Sequence, residues 1–215
     1  MVSLFASEGP IGKLLPQPWL FAPETKAVIA ALTSGGAEIR FVGGCVRDSL
    51  SQRPLKEKGY KKVVEKKDID IATPEFPKTV ARLLRDAGIK VFLTGIEHGT
   101  VSAQIKDMKF EITTLRQDIK TDGRHASVAF TNDWFIDAGR RDFTINALSV
   151  TPDGDIYDFY NGISDLSHGL VRFIGIADER ITEDALRLLR YFRFFGYYGC
   201  PPADSRHRRS VRPPE

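Results

Sequence analysis

Cysteine is scarce in this sequence, whose 215 residues include only Cys45 and Cys200. Two cysteines so far apart cannot form a disulfide framework or a zinc site, which indicates a reducing compartment, and we expect a cytoplasmic protein. No apolar run is long enough to span a membrane, so no membrane partner is expected. The N-terminus lacks the basic start and apolar core of a secretory signal. Residues 1–23 contain four prolines instead, and we interpret them as an irregular leader.

A strong excess of one charge is also missing. The formal net charge is only +3, which permits a nucleic-acid partner but does not argue for one. Hydrophobic residues make up 42% of the chain and charged residues 27%, as is usual for a globular protein. The length then allows one large or two small domains.

The most informative stretch is Lys67–Thr73, whose alternating pattern predicts a short β-strand. Ile69 and Ile71 would lie on one face of the strand, and Asp68 and Asp70 on the other. Two carboxylates held side by side repel each other unless a cation lies between them. Mg²⁺ suits such a pair because it prefers oxygen ligands and keeps waters and phosphates as its other partners. Taken alone, the pair is equally consistent with a solvated acidic edge.

Three further strands are predicted over residues 90–93, 100–105 and 108–114, the last two joined by a turn that suggests a hairpin. On the third of these strands, Glu111 faces away from the apolar side chains. It would place a charge near the centre of a sheet, where a charge needs a partner or a metal. Glu111 is therefore the natural third carboxylate for the aspartate pair.

A glycine turn, Gly43-Gly44, separates a strand predicted over 38–42 from a helix predicted over 45–50. Glycine lets the backbone approach a ligand closely, and the free amides at a helix start favour an anion. Arg47, one turn into the helix, would add a bidentate phosphate contact. The pattern favours a phosphate-binding turn, with a purely structural turn as the alternative.

Three polar segments give less information. Residues 51–67 are rich in lysine, and we interpret them as a solvated loop or, alternatively, as a contact with RNA phosphate. Residues 116–131 are polar and are expected to be mobile. Residues 200–215 are rich in proline and arginine with few apolar residues, which predicts disorder.

The segment Arg140–Leu148 places two arginines, then Asp142 and Asn146, among apolar residues after a helix predicted over 134–140. This pattern indicates a helix start that faces a ligand, with a capped surface helix as the alternative. Beyond it, the residues around Asp153-Gly154 predict a β-hairpin.

A last helix is predicted over residues 182–198, with an apolar face and a basic ridge. The ridge repeats at a spacing of three residues and consists of Arg187, Arg190 and Arg193. Glu183 and Asp184 lie beside Arg187 in the first turns of this helix. Such a ridge is usually solvated, but this one directly follows the candidate site.

Four of these segments resemble, in order, the motifs of the class II tRNA nucleotidyltransferase and poly(A) polymerase family, commonly called CCA-adding enzymes. The matching segments are Gly43–Asp48, Asp68–Asp70, Arg140–Ala147 and Glu183–Arg187. The resemblance covers about residues 39–199. It implies an α+β fold with a polymerase-beta-like nucleotidyltransferase head, built on a mixed β-sheet over residues 24–177. A partial helical neck would follow over residues 178–199.

The resemblance also implies a role for each matched residue. Asp68 and Asp70 would bind Mg²⁺ as the catalytic metal ligands, and Glu111 would complete the catalytic carboxylate set. Gly44 and Arg47 would hold the triphosphate of the incoming nucleotide. The nucleotide-binding residues implied in this way are Gly43, Gly44, Arg47, Arg141, Asp142, Asn146, Asp184, Arg187 and Arg190.

Within this set, Arg141, Asp142 and Asn146 would lie along the ribose and phosphates. Asp184 and Arg187 would act as a protein template that pairs with the edge of cytosine or adenine. An aspartate acceptor and an arginine donor can present such a hydrogen-bonding edge.

The activity implied is addition of C, C and A to tRNA 3′ ends from CTP and ATP, with Mg²⁺ and without a nucleic-acid template. One alternative is a poly(A) polymerase or an enzyme that adds only part of CCA. Another is a non-catalytic fragment that binds nucleotide or RNA. The family continues into helical domains that grip the tRNA, whereas this chain ends in a polar tail. We therefore expect a complete head and only the start of a neck.

Overall fold

The fold is organised around a mixed β-sheet of eight strands, in the order β1-β10-β9-β2-β3-β6-β5-β4. The computed structural model describes residues 9–51, 68–122 and 125–200. The sheet strands are β1 (Gly12–Lys13), β2 (Arg40–Val42), β3 (Asp68–Thr73), β4 (Lys90–Gly95), β5 (Thr100–Ile105), β6 (Met108–Thr114), β9 (Ser149–Val150) and β10 (Asp155–Tyr157). Strands β3 and β6 run parallel, and β2 pairs antiparallel with β3. The predicted α+β class with a mixed sheet is confirmed.

The described residues also form eight α-helices. They are α1 (Pro18–Phe21), α2 (Pro23–Thr33), α3 (Gly44–Leu50), α4 (Pro77–Asp86), α5 (Trp134–Gly139), α6 (Gly162–His168), α7 (Ala177–Glu183) and α8 (Leu186–Tyr198). Helices α2 and α4 bury apolar side chains in the main core on one face of the sheet. In the described ranges, none of the helices has the length and apolar character needed to cross a membrane.

The alternation predicted for the aspartate strand is present in β3. Ile69 and Ile71 are buried in the main core, whereas Asp68 is exposed and Asp70 is half-buried on the opposite face. A strand turns successive side chains to opposite faces, so burial of the isoleucines fixes the position of both carboxylates. The predicted hairpin at Asp153-Gly154 is also present, as the β9–β10 pair.

The interpretation of residues 1–23 as irregular is wrong for the described part of the segment. Strand β1 pairs with β10, and α1 buries Trp19 and Leu20. The Trp19 indole donates to the Ser49 hydroxyl at 2.9 Å and packs edge-on against Phe41 at 5.0 Å. The prolines mislead here because Pro18 occupies the first turn of α1, where its fixed φ favours a helix.

Regular structure is also present where a mobile polar segment was expected. Residues Arg116–Asp122 (β7) and His125–Phe130 (β8) pair as an antiparallel ribbon. The base of the ribbon is held by a bond from the Thr131 amide to the Leu115 carbonyl at 2.9 Å. Strands that pair through their backbones need little alternation of apolar and polar residues, so the polar composition of this segment did not predict them.

The single helix predicted over 182–198 is two helices, α7 and α8, separated at Asp184. The backbone there is extended, with φ −153° and ψ 103°. The Asp184 carboxylate accepts the amide of Leu186 at 2.9 Å, a capping bond that competes with continuation of the helix. An isolated antiparallel bridge joins Phe143 to Phe173. The predictions for residues 52–67 and 201–215 lie outside the described residues.

Candidate active site

Three carboxylates lie on the sheet face opposite the main core. In the parallel register of β3 and β6, Asp70 is directly beside Glu111, and Asp68 is beside Lys109. Burial raises the pKa of Asp70, and the negative charges of Glu111 and Asp68 raise it further, against the opposing effect of Arg141. The site therefore concentrates negative charge on a half-buried carboxylate, a situation that a bound cation would relieve.

The carboxylate oxygens on this face suit a hard cation, but the three carboxylates do not lie close enough together to bind one ion jointly. Within the part of the chain that the structure describes, no group of three or more His, Cys, Asp or Glu side chains comes close enough to hold a metal ion. A place for Glu111 in a shared metal site thus stays a prediction. Asp68 and Asp70 fit the usual Mg²⁺ site, which takes one or two carboxylates plus waters and substrate phosphates.

The glycine turn lies against the Asp70 carboxylate. Gly43 has φ 68° and ψ −135°, a backbone conformation that favours glycine. A Cβ atom on Gly43 would lie 2.9 Å from Asp70 Oδ2, whereas one on Gly44 would meet Arg47 Nη2 at 3.6 Å, an ordinary contact. Only Gly43 is therefore required by the close approach of the turn to the aspartate.

Four predicted binding residues form one hydrogen-bond network that joins α3 to α8. Arg47 Nη1 donates to Asn146 Oδ1 at 2.6 Å, and Asn146 Nδ2 donates to Asp142 Oδ1 at 2.8 Å. Arg190 Nε then donates to Asp142 Oδ2 at 2.7 Å. The structure thus brings together Arg47, Asn146, Asp142 and Arg190 from three separate parts of the sequence.

Arg47 is largely enclosed by this network. Its side chain is only 11% exposed, pairs with Asp48 at 2.8 Å, and lies over the rings of Phe194 and Tyr198 at 5.0 and 4.6 Å. The Tyr198 hydroxyl donates to Asp48 Oδ1 at 2.6 Å, and burial raises the pKa of Tyr198 to about 12. These contacts fasten α8 to α3, directly behind the glycine turn.

Sequence reasoning missed Asp137, which organises the double arginine. This carboxylate is 3% exposed and accepts from Arg140 Nε at 2.8 Å, Arg141 Nη2 at 3.1 Å and the Arg116 amide at 3.2 Å. Burial opposes its ionisation, but Arg141 and Arg140 outweigh that effect and lower the pKa of Asp137. The spacing of three and four residues on one helical face was the available signal.

The prediction that Asp184 lies with Arg187 in the first turns of one helix is wrong, because Asp184 lies between α7 and α8. Arg187 is 12% exposed and donates to Glu183 Oε2 at 2.5 Å and to the Arg180 carbonyl at 3.0 Å. Arg180 in turn donates to the carbonyls of Arg140 and Arg141 at 2.5 and 2.9 Å. The α7–α8 junction is therefore tied to the double-arginine segment.

The amino-acid sequence was compared with those of known protein families. Residues 39–172, more than half of the chain, match the family model described as the poly A polymerase head domain. The chain belongs to the poly A polymerase head domain family. Mouse mitochondrial CCA tRNA nucleotidyltransferase 1 is 42% identical to it over 189 residues, which are 87% of this chain and 41% of the mouse protein.

Solved structures of similar proteins support the head-domain assignment. The CCA-adding enzyme of Bacillus stearothermophilus, solved in complex with CTP, is 33% identical with a TM-score of 0.69, over 86% of this chain and 42% of that one. A tRNA nucleotidyltransferase complexed with a primer tRNA and an incoming ATP analog is 26% identical with a TM-score of 0.58, over 79% and 44%. The matched part of this chain covers about two fifths of the length of the mouse relative.

Proposed function

We propose that this chain is the catalytic head of an enzyme that adds C, C and A to the 3′ end of tRNA, with CTP and ATP as substrates. The observation that carries the proposal is the position of Asp70. This carboxylate lies between the glycine turn at Gly43 and the carboxylate of Glu111 on the neighbouring strand. The substrates are proposed from the names of similar proteins, which include a CCA tRNA nucleotidyltransferase, a CCA-adding enzyme with CTP and a tRNA nucleotidyltransferase with an ATP analog.

In the proposed reaction, the 3′-hydroxyl oxygen of the RNA attacks the α-phosphorus of the nucleotide. A new P–O bond forms, and the bond to pyrophosphate breaks. The backbone of the glycine turn would hold the triphosphate beside Asp70, and Glu111 would accept the proton of the attacking hydroxyl. Asp68 and Asp70 would hold Mg²⁺, which, when bound, supplies positive charge at the reacting phosphates and lowers the pKa of the hydroxyl.

The remaining residues would position the nucleotide. Asp137 orients Arg140 and Arg141, and the charge of Arg141 offsets the negative charge at Asp70. We propose that Arg187 donates to the edge of the base and that Asp184 accepts from it. Because Arg187 is held by Glu183, its guanidinium would be fixed before the base arrives. Fixed donors discriminate bases better than mobile ones because less ordering is needed on binding.

Primer extension tests this proposal and separates it from its rivals. The unaltered chain is incubated with Mg²⁺ and a tRNA that lacks CCA, together with labelled CTP or ATP. Ordered addition of C, C and A supports the proposal. Use of ATP alone on any RNA identifies a poly(A) polymerase, and binding without transfer identifies a non-catalytic head. Asp70→Asn is the matched control, because it removes the charge and keeps the shape.

The cytoplasmic location stays a prediction. The mouse relative carries a mitochondrial name, which concerns that protein.

A further inference from the structure

The sheet face that bears the carboxylates continues across β6, β5 and β4, where its side chains are exposed or half-buried and mostly polar. Two rows of register partners cross these strands: Asp70, Glu111, Ser102 and Phe92, and beside them Asp68, Lys109, Gln104 and Lys90. Directly paired residues share a face, and the isoleucines of β3 occupy the other one. This face is therefore one continuous surface from the aspartates to the edge of the sheet.

Three side chains on this surface, Lys109 on β6 and Lys90 and Phe92 on the edge strand β4, have the chemistry of a single-strand binding site. Lys90 and Lys109 are exposed. Phe92 is 37% exposed, and the Lys90 ammonium lies over its ring at 5.0 Å. Nucleic-acid single strands bind surfaces that combine positive charge for the backbone with aromatic rings for the bases. We call Lys90, Phe92 and Lys109 the edge strip.

The position of the edge strip relative to the glycine turn identifies its occupant. The turn follows β2, on one side of β3, whereas β6, β5 and β4 lie on the other side. The attacking and leaving groups of phosphoryl transfer lie roughly in line, on opposite sides of the reacting phosphorus. If the triphosphate lies at the turn, the attacking 3′ end must arrive over β6. Phe92, two strands beyond Glu111, is about 10 Å from it at the usual strand spacing.

We propose that the edge strip binds the last unpaired nucleotides at the 3′ end of the RNA primer, with a base stacked on Phe92 and phosphates beside Lys90 and Lys109. This inference rests on the proposed function, because the direction of approach follows from the position of the triphosphate. By this inference, the β-sheet of this chain itself binds the 3′ end of the primer, in addition to any contact made elsewhere.

Fluorescence anisotropy of a labelled eight-nucleotide single-stranded RNA ending in cytidine tests the edge strip without nucleotide or turnover. Phe92→Ala in the full chain should weaken binding about five- to 150-fold, from the worth of one base–aromatic stack. Phe92→Trp should retain binding. Lys90→Gln combined with Lys109→Gln should reduce the slope of log affinity against log salt by about 1.4, since each single-strand phosphate contact contributes about 0.7.

The matched control is Lys78→Gln combined with Arg85→Gln, which removes the same charge from α4. This helix packs in the core on the opposite face of the sheet, so the salt slope should not change. Unaltered affinity in Phe92→Ala, an equal slope change in the control, or no RNA binding by the unaltered chain would overturn the inference. Strip-dependent RNA binding by a chain that transfers no nucleotide would support the edge strip and refute the proposed function alone.

Discussion

Replacing Gly43 with alanine tests the contact that defines the candidate site. The new Cβ would lie 2.9 Å from Asp70 Oδ2, closer than side chains normally approach, and the backbone φ of 68° would remain unfavourable for alanine. Either the turn or the carboxylate must move. Gly44→Ala is the matched control for stability, because its Cβ meets only the end of the Arg47 side chain at 3.6 Å.

The size of the effect follows from two separable costs. A non-glycine residue in such a backbone conformation costs on the order of 1–3 kcal/mol. Displacement of Asp70 adds a cost to catalysis, since a misplacement of roughly 1 Å in an active site can reduce the rate about 100-fold. Gly44→Ala places alanine in the first turn of α3, where it should leave the free energy of unfolding unchanged or raise it by up to about 1 kcal/mol.

Urea unfolding and primer extension measure the two costs, and a double-mutant cycle separates them. In an Asp70→Ala background the oxygen that Cβ meets is gone, so Gly43→Ala should there lower the free energy of unfolding only by the backbone part of its cost. Equal free energies of unfolding for Gly43→Ala and Gly44→Ala would refute the argument. So would a Gly43→Ala protein with unaltered transfer, because the turn would then not constrain Asp70.

Three further predictions concern the carboxylates and the template. Asp68→Ala or Asp70→Ala should abolish transfer with the fold intact by circular dichroism; residual turnover above about a tenth, a loss of only ~1.4 kcal/mol, would contradict metal ligation. Asp137→Ala should lower the free energy of unfolding by about 3–5 kcal/mol at pH 7, because it leaves two arginines without their buried partner. Folding lowers the pKa of Asp137, so the difference in free energy of unfolding between the unaltered protein and Asp137→Ala depends on pH. Urea titrations should show the full difference above the unfolded carboxyl pKa of about 3.9 and its loss as the pH falls through the folded pKa. A pH-independent difference would exclude this ion pair. Asp184→Ala and Arg187→Ala should let UTP and GTP compete with CTP and ATP in a four-nucleotide incorporation assay, and unchanged preference in both would defeat the template role.

The parts of the site that lie within one strand or turn were predictable from sequence. Alternation in β3 predicts which face holds Asp68 and Asp70, because an isoleucine on the wrong face would be exposed to water. The same reasoning places Glu111 on that face of β6, and the parallel register then sets it beside Asp70. The glycine turn was predictable as a turn, but its contact with Asp70 depends on the β2–β3 pairing.

Interactions between distant segments were not predictable in the same way. The bond from Arg47 to Asn146 joins residues 99 positions apart, and the bond from Tyr198 to Asp48 joins residues 150 apart. The repeat of apolar residues along a helix or strand gives no information about contacts between such distant residues. The break at Asp184 was missed for another reason: the apolar spacing continues through it, while one side-chain cap ends the regularity.

Within the hydrogen-bond network that joins α3 to α8, the exposed fraction of the side chains divides the predicted binding residues into two groups. Asp142 and Asn146 are buried and the Arg47 side chain is only 11% exposed. Their polar atoms already make hydrogen bonds of 2.6–2.8 Å to one another or to Arg190. A direct contact with nucleotide would require breaking such bonds, which cost about 1.5–3 kcal/mol each when one partner is charged. Arg190, by contrast, has a side chain that is 44% exposed. This distribution argues that the buried residues hold α3 and α8 in place behind the glycine turn, and that residues at the exposed end of the network touch the substrate.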